Sequence, residues 1–401
     1  MAAQKETLAD QSLLLSMIHG MWQTRCLSVL VGLKIPELLC NTKEQSLSIE
    51  EVASKTGCIS TNQIYQIMRV LAQWGIGVEM ENKHFAKNHA MKLLRRDGGP
   101  SMGHVVGYFC SEEMWKATVS FPEAVRQNCP AFVLEHGMDN FKYMNANLND
   151  SCKFDPENMS KCNFSTNRIG SDERRREFLE EYTQAMSMWS HIQIQPDEPG
   201  LKNVYKVFPW STCTILMDIG GCSGHFLASI LKQPGCEHIQ GYVVDLPQVI
   251  DRAKANVHDF GIPQNRIAFI KQDFTKPLHR DVQNLQVDTI VLKNIIGMLD
   301  FNSAVNVLKN CRSLLSKEKG RCLIAASCIP EAGDTKHNVG ENGIQWGFVQ
   351  IHVMCHGHGL KKSKSERIEY VTKAGGECGF KLSEVYDTFS GGVTIFELRP
   401  I

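Results

Sequence analysis

The chain has 401 residues, 43% of them apolar, and its 43 Lys and Arg are balanced by 43 Asp and Glu. That length supports two or three domains and a large core, and zero net charge argues against a nucleic-acid binder, whose affinity leans on basic surface. No run approaches the ~18 apolar residues of a membrane span, and the start Met1-Ala-Ala-Gln-Lys-Glu has no secretory core, so a cytoplasmic protein is expected, with organelle targeting left open.

In the N-terminal third, Leu13, Leu14, Met17, Ile18 and Met21 recur at helical spacing, followed by Leu27, Leu30, Val31 and Leu38, so residues 8–40 read as helices. Ser48 followed by Glu51 spells a capping box that opens a helix ending at Gly57. Thr61 is expected to cap the next, with Ile64, Ile67, Met68 and Leu71 on one face. Val78–Phe85 reads as a short hairpin. Helix, turn, helix and hairpin together make a winged helix. Such a fold can bind DNA, but its second helix offers only Arg69 for that purpose. The apolar N-terminal helices fit better as a surface shared between two protomers.

Residues 101–200 read as mostly helical, with Phe178, Tyr182 and Met186 on one face of a helix from Arg174 to Trp189. Residues 147–171 are polar and read as a surface insertion. The chain has 15 Cys and no Cys-x-x-Cys pair, so buried or free thiols are expected rather than a structural zinc site. Cys152 and Cys162 read as surface thiols, with a metal or redox pair as the sharper alternative.

From residue 205 onward, strands are expected at 214–219, 240–245, 267–271, 287–293, 320–327 and 393–398. Helices are expected at 224–233, 247–259, 302–316 and 363–376. This is an α/β, doubly wound sheet with its ligand crevice at the strand C-termini. The first strand runs into the glycine turn Asp218-Ile219-Gly220-Gly221-Cys222-Ser223-Gly224, and the second ends at Asp245. Glycines let the backbone approach a ligand, and an acid at the next strand end can accept hydrogen bonds from ribose hydroxyls. A dinucleotide site wants Gly-x-Gly-x-x-Gly, and glycines at 220, 221 and 224 do not meet that spacing.

Asp218-x-Gly220-Gly221-x-x-Gly224 instead resembles motif I of class I methyltransferases dependent on S-adenosyl-L-methionine (SAM). Asp245-Leu246-Pro247-Gln248-Val249, Gln272-Asp273-Phe274, Leu292-Lys293 and Leu308-Lys309-Asn310-Cys311 resemble, in order, segments of the plant-type and hydroxyindole-type O-methyltransferases. So do Leu47–Ala53, Ile67–Leu71 and His136-Gly137-Met138 with Phe141. The resemblance implies a Rossmann-like methyltransferase domain at 201–401 and a mainly helical winged-helix dimerisation domain at 1–110. A helical segment at 111–200 would link the two and contribute to the acceptor pocket. It implies a homodimer acting on a small molecule, with S-adenosyl-L-homocysteine as product. Asp218, Gly220, Gly221 and Gly224 would shape the SAM turn and Asp245 would hold the ribose. Leu246, Asp273 and Phe274 would flank the adenine, and Lys293 would lie near the sulfonium. Trp115, Phe141, Met186 and Trp189 would wall the acceptor pocket, with ordinary core packing the bland alternative.

The family pattern Leu-Lys-x-x-x-His-Asp-Trp supplies a His as the base for hydroxyl acceptors. Aligned without gaps, this chain has Gly297 at the His position, and Met298 and Leu299 follow. A thioether acceptor loses no proton and needs no base. The departure therefore leans towards sulfur methylation of a thioether acid such as 4-methylthio-2-hydroxybutyrate, the substrate of one known group on this fold. The alternative is O- or N-methylation with His352 or His356 as base, since His352 falls in a segment that lines the acceptor pocket in relatives. His352 could equally bind a substrate carboxylate or simply pack. A catalytically idle dimer that binds SAM is the reading from another class. His352, His356 and His358 also raise metal binding, but too few other ligands accompany them, and no metal is expected.

Overall fold

The computed structural model describes residues 2–145, 172–194, 202–255, 260–334, 345–356, 362–388 and 392–401. The 147–171 insertion with Cys152 and Cys162, and His358, lie outside the described residues. The chain divides into two compact units. One comprises Met1–Lys116 with Gly170–Met188, the other Ala117–Ile169 with Trp189–Ile401.

In the first unit, helices Ala2–Gly32 and Ile35–Asn41 cover the predicted helical stretch. Leu30, Val31, Ile35 and Leu39 enter a core shared with Ile64, Met68 and Leu71. Ser48 accepts from the Glu51 amide at 3.2 Å while its own amide donates to Glu51 Oε2 at 2.8 Å, which starts helix Ile49–Thr56 as the capping box predicts. The next helix, Thr61–Gln73, departs by one residue. Ser60, in extended backbone, takes the cap position, and Thr61 is the first helical residue. The hairpin is a three-stranded sheet of β1 (Leu47–Ser48), β2 (Val78–Met80) and β3 (His84–Ala86), in the order β1-β3-β2. A single 3-10 turn, Glu81–Lys83, separates β2 from β3. Leu13, Leu14, Met17, Ile18 and Trp22 of the first helix are all more than half exposed on one chain. An apolar face of that size normally meets a partner.

The second unit is built on seven strands. They are β4 (Ile215–Ile219), β5 (Gln240–Asp245), β6 (Ile267–Lys271), β7 (Thr289–Lys293), β8 (Arg321–Ala326), β9 (Phe380–Tyr386) and β10 (Thr394–Pro400). Their order is β6-β5-β4-β7-β8-β10-β9. The first five are parallel, and β10 runs antiparallel to both neighbours. Strands β4, β7 and β8 are near-continuous apolar runs because helices cover both faces. Met217, Ile290 and Leu292 pack towards helices Phe301–Leu314 and Lys364–Gly376. Leu216, Val243, Val291 and Leu323 pack on the other face with Phe226, Leu227 and Ile230 of helix His225–Leu231. Strand order reverses at β4, whose neighbours are β5 and β7, so a ligand crevice opens beyond the C-terminal ends there. Among the described residues, no helix is long and apolar enough to cross a membrane.

Candidate active site

At the end of β4 the chain turns sharply, and the Gly220 amide donates to the Val244 carbonyl at 2.8 Å. Gly220 has φ +72° and Gly224 φ +83°, values that L side chains resist. A Cβ at 220 would collide with Ile295 and meet Phe274 Cε1 at 3.5 Å. A Cβ at 221 would lie 2.7 Å from Asp218 Oδ2. The turn is thus kept bare of side chains where the adjoining strands end. Cys222 also has a positive φ, +52°. Burial, aided by the charge of Asp245, pushes its thiol up to about 12, so it stays protonated and is no redox thiolate.

Asp245 is buried at the end of β5 and is clamped from two sides. Oδ2 accepts from the Cys222 amide at 2.9 Å and Oδ1 from the Leu246 amide at 2.8 Å. These bonds fix the carboxylate and leave lone pairs for a diol. The Gln272 amide donates to the Asp245 carbonyl at 2.8 Å, which brings the end of β6 alongside. There Asp273 Oδ1 accepts from the Thr275 amide at 3.0 Å, and Phe274 lies against the glycine turn.

Asp218 is 1% exposed and neither carboxylate oxygen has a hydrogen-bond partner. Burial raises its pKa to about 7, against the opposing pull of Lys293. Burial likewise lowers the Lys293 ammonium to about 8, and that group donates to Ser190 Oγ at 2.8 Å. A buried carboxylate with two free oxygens, a second carboxylate held for a diol and a turn that excludes Cβ atoms fit a ligand carrying a cation and a ribose. They fit SAM.

Helix Asp172–Ile194 holds the far side of this region. Gln193 accepts from Asn294 Nδ2 at 3.0 Å and donates to Ser327 Oγ at 3.1 Å, joining the ends of β7 and β8. Gln193, Asn294 and Ser327 form a polar chain, with the Lys293–Ser190 bond beside it, that no motif in the sequence announces.

Gly297 and Met298 lie on the 3-10 turn Ile296–Met298 that follows β7. A Cβ at 297 would lie 2.9 Å from Arg367 Nη2 and 3.2 Å from Nη1. A guanidinium therefore fills the space that a side chain at 297 would enter. His352 and His356 lie elsewhere, on helix Trp346–His356, with ring centroids 3.8 Å apart. His356 is buried, 6.1 Å from the Phe132 ring, and burial drops its pKa to about 3. At neutral pH it is an uncharged imidazole and a feeble proton acceptor, which removes most of the case for it as a base. Among the described residues, no three His, Cys, Asp or Glu side chains converge as metal ligands.

The model of the O-methyltransferase domain matches residues 134–377, and that of the O-methyltransferase dimerisation domain matches residues 15–87. The chain belongs to the O-methyltransferase family. The phenazine O-methyltransferase PhzM of Lysobacter antibioticus is 25% identical over 391 residues, covering 97% of this chain and 96% of the relative. The solved structure of the mitomycin 7-O-methyltransferase MmcR aligns over 99% of this chain and 100% of its own, with TM-score 0.75 and 18% identity. That of NcsB1 from neocarzinostatin biosynthesis, in complex with S-adenosyl-L-homocysteine and 1,4-dihydroxy-2-naphthoic acid, aligns over 94% and 96%, with TM-score 0.65 and 16% identity. This O-methyltransferase family member is SAM-dependent.

The expected aromatic walls fall on both units. Trp115 and Met186 belong to the first, where the Arg25 guanidinium lies 4.8 Å above the Trp115 ring. Phe141 and Trp189 belong to the second.

Asp218 makes a testable link between cofactor binding and stability. Its folded pKa of about 7 exceeds the ordinary 3.8, so the folded state holds a proton that the unfolded state releases between those values. Stability from this group is therefore lost as pH rises from 3.8 to about 7 and stays lost above. Asp218→Asn removes the penalty and is expected to stabilise the cofactor-free protein at about pH 8 by about 2 kcal/mol. The full shift would give roughly 4, less what Lys293 forfeits in counter-charge. Melting temperatures with and without the substitution check it. The gain must shrink towards pH 4, and a gain that grew on acidification would refute the assignment.

Proposed function

We propose that this enzyme methylates a small acceptor from which no protein base has to take a proton, with the sulfur of a thioether acid such as 4-methylthio-2-hydroxybutyrate as the leading candidate. The single observation behind this is at position 297, which gapless alignment pairs with the family's His and where the space a side chain would take is filled by Arg367. A guanidinium stays protonated and cannot accept a proton. Bound SAM supplies an electrophilic methyl group. The protein's own task is then to align the acceptor sulfur with that methyl and to exclude water.

In this reading Asp245 takes the ribose hydroxyls, and Leu246, Asp273 and Phe274 flank the adenine. Asp218 and Lys293 lie at the methionine end, Lys293 tethered to Ser190. Residues 1–110 form the dimerisation domain, whose exposed apolar first helix supports a homodimer. Residues 201–401 form the SAM-binding domain, and 111–200 the segment between. Of the expected pocket walls, Phe141, Trp189 and Met298 belong to the same unit as the SAM site and are offered to the acceptor.

A second reading, O-methylation, is supported by the names of the relatives, which include O-methyltransferases of phenazine and mitomycin pathways. In that reading the base is His352 or His356, of which burial makes His356 the weaker proton acceptor.

Turnover over about pH 6–9 at saturating SAM separates the two. A thioether acceptor, 4-(methylthio)butanoate, is expected to react at a rate flat within about twofold across that range. No turnover of the thioether, together with phenol methylation that falls on acidification and is abolished by His352→Gln, would establish O-methylation instead.

A further inference from the structure

Arg367 carries an inference about the acceptor that does not depend on which atom is methylated, although it rests on reading this crevice as the acceptor end of a methyltransferase site. The residue sits in the first turn of helix Lys364–Gly376 and is 1% exposed. Its Nε and Nη1 are buried with no hydrogen-bond partner, and among the described residues no carboxylate forms an ion pair with the guanidinium. Nearby acids are engaged elsewhere. Glu366 Oε2 accepts from the Ser363 amide at 2.8 Å in a capping box, and Asp300 caps helix Phe301–Leu314 through the Ser303 amide at 3.0 Å. One turn along the same helix, the Tyr370 hydroxyl is also buried without a partner.

Taking a guanidinium out of water without a counter-ion costs several kcal/mol, and leaving its N–H groups unsatisfied adds to that. An interior retains such a group where something absent from the chain completes it. The position of the guanidinium indicates what. Its two terminal nitrogens are the atoms nearest to the open side of Gly297, just beyond the C-terminal end of β7. Cys328 and the Ile329–Ser363 bridge place the same helix beside the end of β8. Ligands of doubly wound sheets bind along that edge. A planar fork of donors matches a carboxylate, because two oxygens meet two N–H groups in one plane.

We infer that the acceptor is a carboxylic acid, bound as its carboxylate by the Arg367 guanidinium that Gly297 leaves room for, with the Tyr370 hydroxyl as an additional donor. Glycine at 297 then has a positive role. It removes the side chain that would bar the guanidinium, so loss of the base and gain of an anion anchor are one change. Arg367 is here a specificity-determining residue: it fixes one end of the acceptor and leaves the methyl-accepting atom to be placed by the rest of the site.

The test uses the full-length protein with matched acid and amide probes of two kinds, 4-(methylthio)butanoate against its amide and 4-hydroxybenzoate against 4-hydroxybenzamide. Initial rates with SAM are read beside equilibrium binding of each probe to the protein loaded with S-adenosylhomocysteine. The wild type is expected to prefer the acid of at least one pair by about 30-fold or more, in kcat/KM or in Kd. Arg367→Gln, which removes a buried charge and so keeps the fold, should cut that preference to within about threefold by weakening the acid alone. Arg367→Lys should retain part of it, as a point charge without the fork. Equal affinity for acid and amide in the wild type, in both pairs and both readouts, would overturn the inference. So would a preference that survives in Arg367→Gln, or a variant that loses acid and amide alike. Failure of sulfur methylation shows separately: turnover of the phenolic pair alone, with the acid still preferred, rejects the thioether and leaves the carboxylate anchor standing.

Discussion

Asp245→Ala is expected to weaken S-adenosylhomocysteine binding by about 100-fold. Hydrogen bonds to a charged acceptor contribute about 1.5–3 kcal/mol each, and the proposed ribose contact uses two. The substitution also acts on the protein itself. The carboxylate holds the Cys222 amide at 2.9 Å and the Leu246 amide at 2.8 Å, and Cys222 sits in a left-handed conformation that its side chain does not favour. Without its clamp the glycine turn is free to relax away from the ligand. Asp245→Asn, which keeps one acceptor oxygen, should lose about tenfold. Calorimetric titration with S-adenosylhomocysteine measures both, with the melting temperature of the cofactor-free protein as the check on folding. Affinity of the alanine variant within about threefold of wild type would remove Asp245 from the ribose site.

Much of the scaffold was legible because its signals are local. The Ser48/Glu51 box, the apolar runs of β4, β5 and β7 and the glycines at 220 and 224 each state their structure within a few residues. Strand β9 escaped because it is a sheet edge with only Phe380 buried and Lys381, Ser383 and Glu384 exposed, so it carries no apolar run. The Ser60 cap escaped because Thr61 is an equally good capping residue and only the backbone conformation distinguishes them.

The site divides along the same line. Asp218, Asp245 and the glycine turn could be read directly because a strand–turn–helix unit brings them together. The bonds Lys293–Ser190, Asn294–Gln193 and Gln193–Ser327 join residues more than 100 positions apart. No spacing encodes them. The histidines are a case of the same kind. His352 and His356 are one helical turn apart, and that spacing does not tell that burial beside Phe132 lowers the proton affinity of His356. The glycine at 297, in place of the His that the family pattern leads one to expect, was visible in the sequence. What fills its place was not, because Arg367 arrives from a helix 70 residues downstream and looks, in sequence, like any charged residue in a first turn.

That pairing of Gly297 with Arg367 makes Gly297→His a decisive substitution, and it is expected to damage the enzyme rather than restore an ancestral activity. The first side-chain atom alone would come within 2.9 Å of Nη2. An alanine there can be met by a small shift of the guanidinium, since the obstacle is the tip of a flexible side chain. An imidazole cannot, and it must drive Arg367 out of its seat. Turnover of a carboxylate acceptor should fall by about tenfold or more, matching Arg367→Gln, while Gly297→Ala should fall by only about threefold. Phenol methylation should stay at its wild-type level, because a base helps only where the acceptor hydroxyl is placed within about 3 Å of it. Kinetics with 4-(methylthio)butanoate and with a simple phenol decide the matter. A correctly placed base is worth about 100-fold to 10,000-fold. A gain of that order in phenol methylation by Gly297→His would show a hydroxyl site lacking only its base, and the guanidinium at 297 would then be a later occupant rather than the anchor of an acid.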